Sequence, residues 1–338
     1  MRSRLLVVLA VALLLATLFA QSPPAMALPN ADSGQRLVMA LYYPWYDENT
    51  WASGTTADQP LIPYASWERD TIARHVGWAR DASIDALVSA WFGPRDQNPT
   101  ETNLKSLLDV ARPTGLKVAI LVETDNNDFF PNRGALADAL RQALATHATD
   151  PAYLKIGGKP AFFVWRPAAV YGPSGGRVNQ KGAATVAAWR SLLDEVDPGR
   201  RAIWIGEGDD VSILDVFDGI FPYSIAWAGD PAGQLNSYAR RVAAYNVANG
   251  TAKLWVGTAM PGYDDTHIPG RGGRFAVDRA DGAYYRATFE GAAASGADAV
   301  MITSFNEWLE GHQIEPSASY GTRYLDLTRD LAAAFKAR

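Results

Sequence analysis

Short runs of apolar, β-branched and aromatic residues alternate along the chain with longer segments in which apolar residues recur at helical spacing. Such runs, bounded by polar turns, predict buried strands, and the 3.6-residue period predicts amphipathic helices packed on them. The predicted strands are Leu37–Tyr43, Ala86–Trp91, Lys117–Glu123, Ala161–Trp165, Ala202–Gly206, Asp218–Pro222, Lys253–Ala259 and Ala299–Ser304. The predicted helices are Trp67–Ala82, Asn103–Thr114, Gly134–His147, Gly182–Glu195, Val211–Val216, Gln234–Asn249, Asp281–Ala294 and Gly321–Lys336.

Strict alternation of strands and helices over roughly 300 residues is typical of a (β/α)8 TIM barrel, an α/β fold whose sheet closes on itself. A doubly wound open sheet alternates in the same way. However, the first strand is not followed by a GxGxxG or GxxxxGK[ST] loop, which favours the barrel. Because no linker divides the chain, we expect a single barrel domain over 28–338.

The first 27 residues have the pattern of an export signal. Arg2 and Arg4 precede an unbroken apolar run, Leu5–Ala20, and the Ala-Met-Ala triplet at 25–27 supplies a small-x-small cleavage pattern. A membrane anchor is the alternative, but the run is shorter than the roughly 20 residues that span a bilayer. We therefore expect a cleaved signal peptide over 1–27 and a secreted protein, extracellular or periplasmic, with no membrane segment after cleavage.

The composition narrows the chemistry. The 338-residue chain is 48% hydrophobic, and its 31 Lys and Arg against 36 Asp and Glu give a formal net charge of −5. With no basic block, this charge argues against a nucleic-acid partner. There is no cysteine, which excludes disulfides, thiol nucleophiles and Cys-ligated zinc, and the four histidines have no HxH or HxxxH spacing. We expect neither a metal nor another cofactor.

Aromatic and acidic residues gather at the ends of the predicted strands, where a (β/α)8 barrel carries its active site. Sugar rings pack on Trp and Tyr, and carboxylates and amides accept hydrogen bonds from sugar hydroxyls, so this mixture favours a cleft for an oligo- or polysaccharide. The expected substrate contacts are Tyr42, Tyr43, Trp91, Glu123, Tyr223, Tyr263, Asn306, Trp308 and His312. Glu207 is a reserve candidate for the same role.

The most specific local feature is the segment Asn306-Glu307-Trp308-Leu309-Glu310 after the eighth strand. In a helical turn, a three-residue spacing puts Glu307 and Glu310 on one face, with Cβ atoms roughly 5–6 Å apart. Glycosidases use two carboxyl groups beside the scissile bond, and repulsion between them keeps one protonated near neutral pH. A short separation favours retention over inversion. A surface helix start, where Glu meets the helix dipole favourably, is the alternative.

Three stretches, taken in order, resemble glycoside hydrolase family 99, the endo-α-mannosidase and endo-α-mannanase family. They are Tyr42–Tyr46, which resembles the opening strand motif, Pro261–Ile268, which is similar to PGYxDTxI, and Ile302–Glu315, which is similar to ITSFNEWHEGTQIE. The Gly-x-Tyr-Tyr content of Asp281–Tyr285 also matches in position. Two residues differ from the third motif: Leu309 replaces its His, and His312 replaces its Thr.

The resemblance implies a (β/α)8 barrel that cleaves internal α-mannosidic bonds with retention and without a metal. It further implies that Glu307 deprotonates the sugar's own 2-hydroxyl, which attacks the anomeric carbon to form a 1,2-anhydro sugar, and that Glu310 is the general acid/base. Trp91 would stack on a sugar, and Glu123 and Tyr223 would lie beside the reacting ring. Two alternatives stay open: a non-catalytic glycan-binding barrel, and an α-1,3-glucan hydrolase resembling glycoside hydrolase family 71.

Overall fold

The computed structural model describes residues 36–95, 98–125 and 128–338. Within these ranges a closed barrel is formed by β1 (Leu37–Tyr42), β2 (Ala86–Trp91), β3 (Lys117–Glu123), β4 (Lys159–Trp165), β5 (Ile203–Glu207), β6 (Gly219–Phe221), β7 (Leu254–Ala259) and β8 (Ala299–Ile302). All pairings in the barrel are parallel, and β8 closes it by pairing with β1, where Leu37 lies opposite Ala299. The predicted (β/α)8 fold is confirmed. The predicted signal peptide lies outside the described residues.

The helices surround the barrel. In the described part of the chain they are α1 (Glu48–Ala52), α2 (Arg69–Asp81), α3 (Pro99–Ala111), α4 (Arg133–Ala145), α5 (Ala183–Val196), α6 (Pro231–Asn249), α7 (Ala283–Ala294) and α8 (Arg323–Lys336). The segment predicted as a helix over 211–216 is a single 3₁₀ turn, Val211–Asp215, capped by the side chain of Asp210. No helix in the ranges given above is long and apolar enough to cross a bilayer.

Strand residues alternate between two cores, because successive side chains of a strand point to opposite faces of the sheet. In β1, Met39 and Leu41 fill the inside of the barrel, whereas Val38, Ala40 and Tyr42 face the helices. The same alternation continues beyond the strand ends. It therefore decides which side chains of the following residues reach the mouth of the barrel.

Candidate active site

The turn after β8 brings two acidic side chains into one cleft at the C-terminal end of the barrel. Residues 308–311 form a hydrogen-bonded turn rather than the helical turn that the spacing predicts, and the amide of Gly311 donates to the carbonyl of Trp308 (3.3 Å). The cleft is a cavity of about 220 Å³. Its lining includes three carboxyl groups and four aromatic side chains, those of Glu123, Glu307, Glu310, Tyr43, Trp45, Trp165 and Tyr223.

Glu307 lies deep in the cleft, and only 5% of the residue is exposed. The hydroxyl of Tyr46 donates to its Oε1 (2.9 Å), and the amide of Leu309 donates to the same oxygen (3.1 Å). Its own amide donates to Oγ of Ser304 (2.7 Å), which fixes the start of the turn. Burial, followed by repulsion from Glu310, raises the pKa of Glu307 to about 8. Near neutral pH, Glu307 is therefore protonated in the free protein.

Glu310 has the opposite electrostatic environment. The hydroxyl of Tyr223 donates to its Oε2 (2.8 Å), Nε2 of His312 lies 3.1 Å from that oxygen, and Nη2 of Arg271 lies 2.6 Å from Oε1. Burial by itself would raise the pKa of Glu310, but the hydrogen bond and the charge of His312, followed by the hydrogen bonds from Tyr223 and Arg271, lower it to about 2. Glu310 is therefore ionised, and the two carboxyl groups hold one proton between them.

His312 connects the two glutamates from below the cleft. Its Nε2 lies 3.1 Å from both the Glu310 carboxylate and the Tyr223 hydroxyl, and its Nδ1 lies 3.1 Å from Oγ of Ser304. Because the ionised Glu310 can only accept, Nε2 of His312 carries a hydrogen and donates it to Oε2 of Glu310.

Arg271 was not identified by the sequence reasoning. It lies in the loop between the short strands Tyr263–Asp264 and Ala276–Val277, where its Nε is 3.0 Å from Oδ2 of Asp265 while its Nη2 contacts Glu310. Arg271 lies among glycines in a loop, so no hydrophobic period marks it in the sequence. Its partner Glu310 is brought near it only by the fold. The side chain is 37% exposed, so Arg271 is the member of the Glu310 environment that an incoming ligand can reach.

Tyr42 and Trp91, both expected to contact a sugar, do not line the cleft, because their side chains point from the strands toward the helices. The hydroxyl of Tyr42 hydrogen-bonds with Nδ1 of His75 (3.0 Å), and both rings are buried among helix side chains. Nε1 of Trp91 donates to Glu101 of α3 (2.7 Å). The expectation that these two residues contact a sugar stays a prediction.

The side chain of the next residue along each strand points in the opposite direction, toward the mouth of the barrel. Tyr43 lines the cleft, and Phe92 stacks on Trp45, another cleft residue, with ring centroids 5.6 Å apart and an interplanar angle of 5°. Trp45 in turn packs against Tyr43 at 4.9 Å. These rings, together with Trp165, form an aromatic surface at the cleft.

Four other residues that were expected to contact the sugar are buried beneath the cleft lining, and this expectation stays a prediction for Tyr263, Asn306, Trp308 and His312. Asn306 accepts the amide of Tyr43 (2.7 Å) and donates to its carbonyl (3.0 Å), which joins the turn after β8 to the end of β1. Nε1 of Trp308 donates to the buried Glu315 (3.0 Å). The ring of Tyr263 stacks on that of His312 at 5.8 Å. Each is buried by the chain itself.

Glu123 and Tyr223 line the cleft, as expected for residues beside a reacting ring. Burial, followed by repulsion from Glu307, raises the pKa of Glu123 to about 8. Tyr223 is held by an edge-to-face contact with Trp165 at 4.4 Å. Contact of these side chains with a sugar stays a prediction.

No group of three or more His, Asp or Glu side chains that could hold a metal ion occurs among the residues that the structure describes. Of the carboxyl groups in the cleft, Glu307 accepts from Tyr46, and Glu310 accepts from Tyr223 and is paired with Arg271. The expectation that the protein needs no metal stays a prediction.

Comparison with known proteins agrees with this geometry. A glycoprotein endo-alpha-1,2-mannosidase-like protein of Mus musculus is 25% identical over 320 residues, which cover 83% of this chain and 66% of that protein. A glycoprotein endo-alpha-1,2-mannosidase of Rattus norvegicus is 27% identical over 294 residues, which cover 81% of this chain and 60% of that protein. The chain thus spans about two thirds or less of the length of these curated relatives.

A solved structure of the GH99 endo-alpha-mannosidase from Bacteroides thetaiotaomicron superposes with a TM-score of 0.71 at 24% identity, covering 89% of this chain and 97% of that one. This likeness confirms the fold. The model of the family described as "Glycosyl hydrolase family 99" matches residues 52–335, a range that includes the turn with Glu307 and Glu310 and seven of the eight barrel strands. The chain therefore belongs to glycosyl hydrolase family 99.

Proposed function

We propose that this protein is an endo-acting glycoside hydrolase that cleaves internal α-mannosidic linkages with retention, and that Glu307 and Glu310 are its catalytic residues. The observation that carries the proposal is a single aromatic-lined cleft in which two carboxyl groups share one proton. Glycoside cleavage needs one acid for the leaving oxygen and one carboxylate as base, and the pair supplies one of each. Membership of the family, and relatives named endo-mannosidases, support the substrate class.

In the free protein the proton resides on Glu307, the residue that the family resemblance makes the base. With Glu307 as the base and Glu310 as the acid, cleavage requires the proton to be on Glu310. A pyranose entering the cleft can displace Arg271 from Glu310 and exclude water, and both changes raise the proton affinity of that carboxylate. The proton then moves to Glu310, while the donors Tyr46 and the Leu309 amide stabilise the ionised Glu307.

With the proton relocated, Glu307 accepts the hydrogen of the sugar 2-hydroxyl as O2 attacks the anomeric carbon. The bond between that carbon and the leaving oxygen breaks, and Glu310 gives its proton to the leaving oxygen. The product is a 1,2-anhydro sugar. Glu310, now ionised, removes a proton from a water molecule that attacks the anomeric carbon. The bond between that carbon and O2 breaks, and Glu307 gives its proton to O2. Glu307 is then ionised and Glu310 protonated, as they were before the first attack.

We also propose that the protein is exported through the signal-like segment 1–27. N-terminal sequencing of the protein recovered outside the cytoplasm tests this point. A mature N-terminus near residue 28 is expected, and an intact N-terminus on protein retained in the cell would contradict export.

The activity is tested by product analysis with a panel of α-mannans and α-glucans, including α-1,3-glucan. We expect oligosaccharides from mannan, an initial product with retained configuration by proton NMR, and a loss of about 10²–10⁴-fold in kcat for Glu307→Gln and Glu310→Gln. Glu195→Gln, an exposed carboxylate of α5, is the matched control and should leave the rate unchanged. Release from α-1,3-glucan alone favours the glucanase alternative, and binding with no turnover favours the glycan-binding barrel.

A further inference from the structure

A second pocket adjoins the catalytic cleft at the ends of β4, β5 and β6. Its volume is about 480 Å³, more than twice the 220 Å³ of the cleft, and Tyr223 lines both cavities. The carboxyl group of Glu207 faces this pocket and is hydrogen-bonded by backbone groups of Tyr223 and Arg166. The pocket and the cleft therefore adjoin each other at Tyr223.

The side chain of Trp227, which lines the pocket, is unusually exposed to solvent for a tryptophan. The residue is 58% exposed, although burying a Trp ring is strongly favourable. Its Nε1 donates to the carbonyl of Ser224 (3.0 Å), which fixes the orientation of the ring. A large exposed ring that is held in place beside a polar cavity is typical of a ligand-stacking surface, and sugar rings present the flat apolar faces that such a surface binds.

The charges around the pocket indicate what kind of ligand it fits. Lys181 is paired with Asp209, and Arg166 is paired with Asp125, so both cations that line the pocket already have carboxylate partners. A phosphate or carboxylate ligand would have to break these pairs. Hydroxyl groups can instead donate to the carboxylates and accept from the amide of Asn179, with no net change in charge.

We propose that this pocket, the Trp227 pocket, binds further pyranose units of the same glycan chain, with one ring stacked on Trp227. The inference rests on the proposed function and deepens it. Because Tyr223 lines both cavities, the pocket lies next to the cleft, and its volume accommodates more sugar than the cleft does. The consequence is that long chains are preferred over short ones, as an endo-acting enzyme requires.

The test is the dependence of kcat/KM on chain length, from the α-mannose disaccharide to the hexasaccharide. For Trp227→Ala we expect a loss that grows with length and reaches about three- to tenfold, mainly through KM, because one stacking contact is removed. Trp227→Phe retains a ring and should recover part of the loss. Trp67→Ala removes another exposed Trp (56%), which lines neither cavity, and should leave the length dependence unchanged.

Calorimetric binding of the hexasaccharide to Glu310→Gln, with and without Trp227→Ala, separates this proposal from the proposed function. If hydrolysis depends on chain length in the same way in Trp227→Ala and in the unmodified chain, the proposed role of the Trp227 pocket is wrong, but the proposed function is not affected. Binding that Trp227→Ala weakens, in a protein that hydrolyses no mannan, supports the pocket and overturns the function. If Trp227→Ala does not weaken binding of the hexasaccharide, the proposed role of the Trp227 pocket is wrong, whether or not the protein hydrolyses mannan.

Discussion

Replacing Glu310 by glutamine removes one negative charge from the cleft and keeps the shape of the side chain, which isolates the coupling between the two glutamates. The charge of Glu310 is the second cause of the raised pKa of Glu307, after burial. At an effective dielectric constant of about 20, any two unit charges at separations of roughly 5–8 Å repel each other by about 2–3 kcal/mol, or about 1.5–2 pH units. We therefore expect the pKa of Glu307 to fall from about 8 to roughly 6 in Glu310→Gln.

The assay is a pH titration of the carbon-13 NMR signals of the glutamate carboxyl groups, which needs no substrate. The signal that disappears in Glu307→Gln identifies Glu307. Glu195→Gln removes an exposed carboxylate elsewhere and should leave the midpoint of Glu307 unchanged. A midpoint in the ordinary range for Glu in the unmodified protein would refute the effect of burial. An equally high midpoint in Glu310→Gln would refute the coupling.

Three further predictions test the surroundings of the pair. Tyr46→Phe removes the hydroxyl donor to Glu307 (2.9 Å), and the kcat/KM is expected to fall about ten- to hundredfold in initial-rate assays, with an unchanged circular dichroism spectrum. Trp91→Phe breaks a buried hydrogen bond and should lower the free energy of unfolding in urea by about 1–3 kcal/mol without changing KM. Phe92→Ala, by contrast, should raise KM, because this ring stacks on a residue of the cleft. The reverse pattern would contradict the assignment of Trp91 to the helix side and Phe92 to the cleft side of β2. The folded-state pKa values of Glu123 and Glu307 are raised to about 8 from 4.5, so their protonated forms stabilise the fold fully below pH 4.5 and this contribution is lost as the pH rises to 8. The Tm should fall over that range and fall less in Glu123→Gln, and an identical slope in that variant would refute the assignment.

The strands and most helices could be predicted because their signals are local. A buried strand is an apolar run and an amphipathic helix has its own period, so each can be recognised without knowledge of its neighbours. The exceptions have weak local signals: α1 is five residues long, and the segment at Val211–Asp215 forms only a 3₁₀ turn. The turn that carries Glu307 and Glu310 was placed correctly at the end of β8, although it is not helical.

The cleft residues were predicted less well, because an aromatic residue at a strand end has two possible faces. Tyr42 and Tyr43 are equivalent by residue type, and only the register of β1 in the closed barrel buries one against the helices and turns the other into the cleft. Trp91 and Phe92 differ in the same way. The alternation of the buried strand was available in the sequence, but its phase relative to the barrel axis becomes certain only when the sheet is closed.

The sequence by itself therefore determined the barrel, the position of the turn that carries Glu307 and Glu310, and the likeness to the family, since these follow from local periodicity and from contiguous motifs. The tertiary structure decided where the proton of the pair resides. Tyr46, Tyr223 and Arg271 lie far from the two glutamates in sequence and act on them through space. A pKa depends on burial and on charges within a few ångströms, from whichever part of the chain they come, and these distances exist only in the folded barrel.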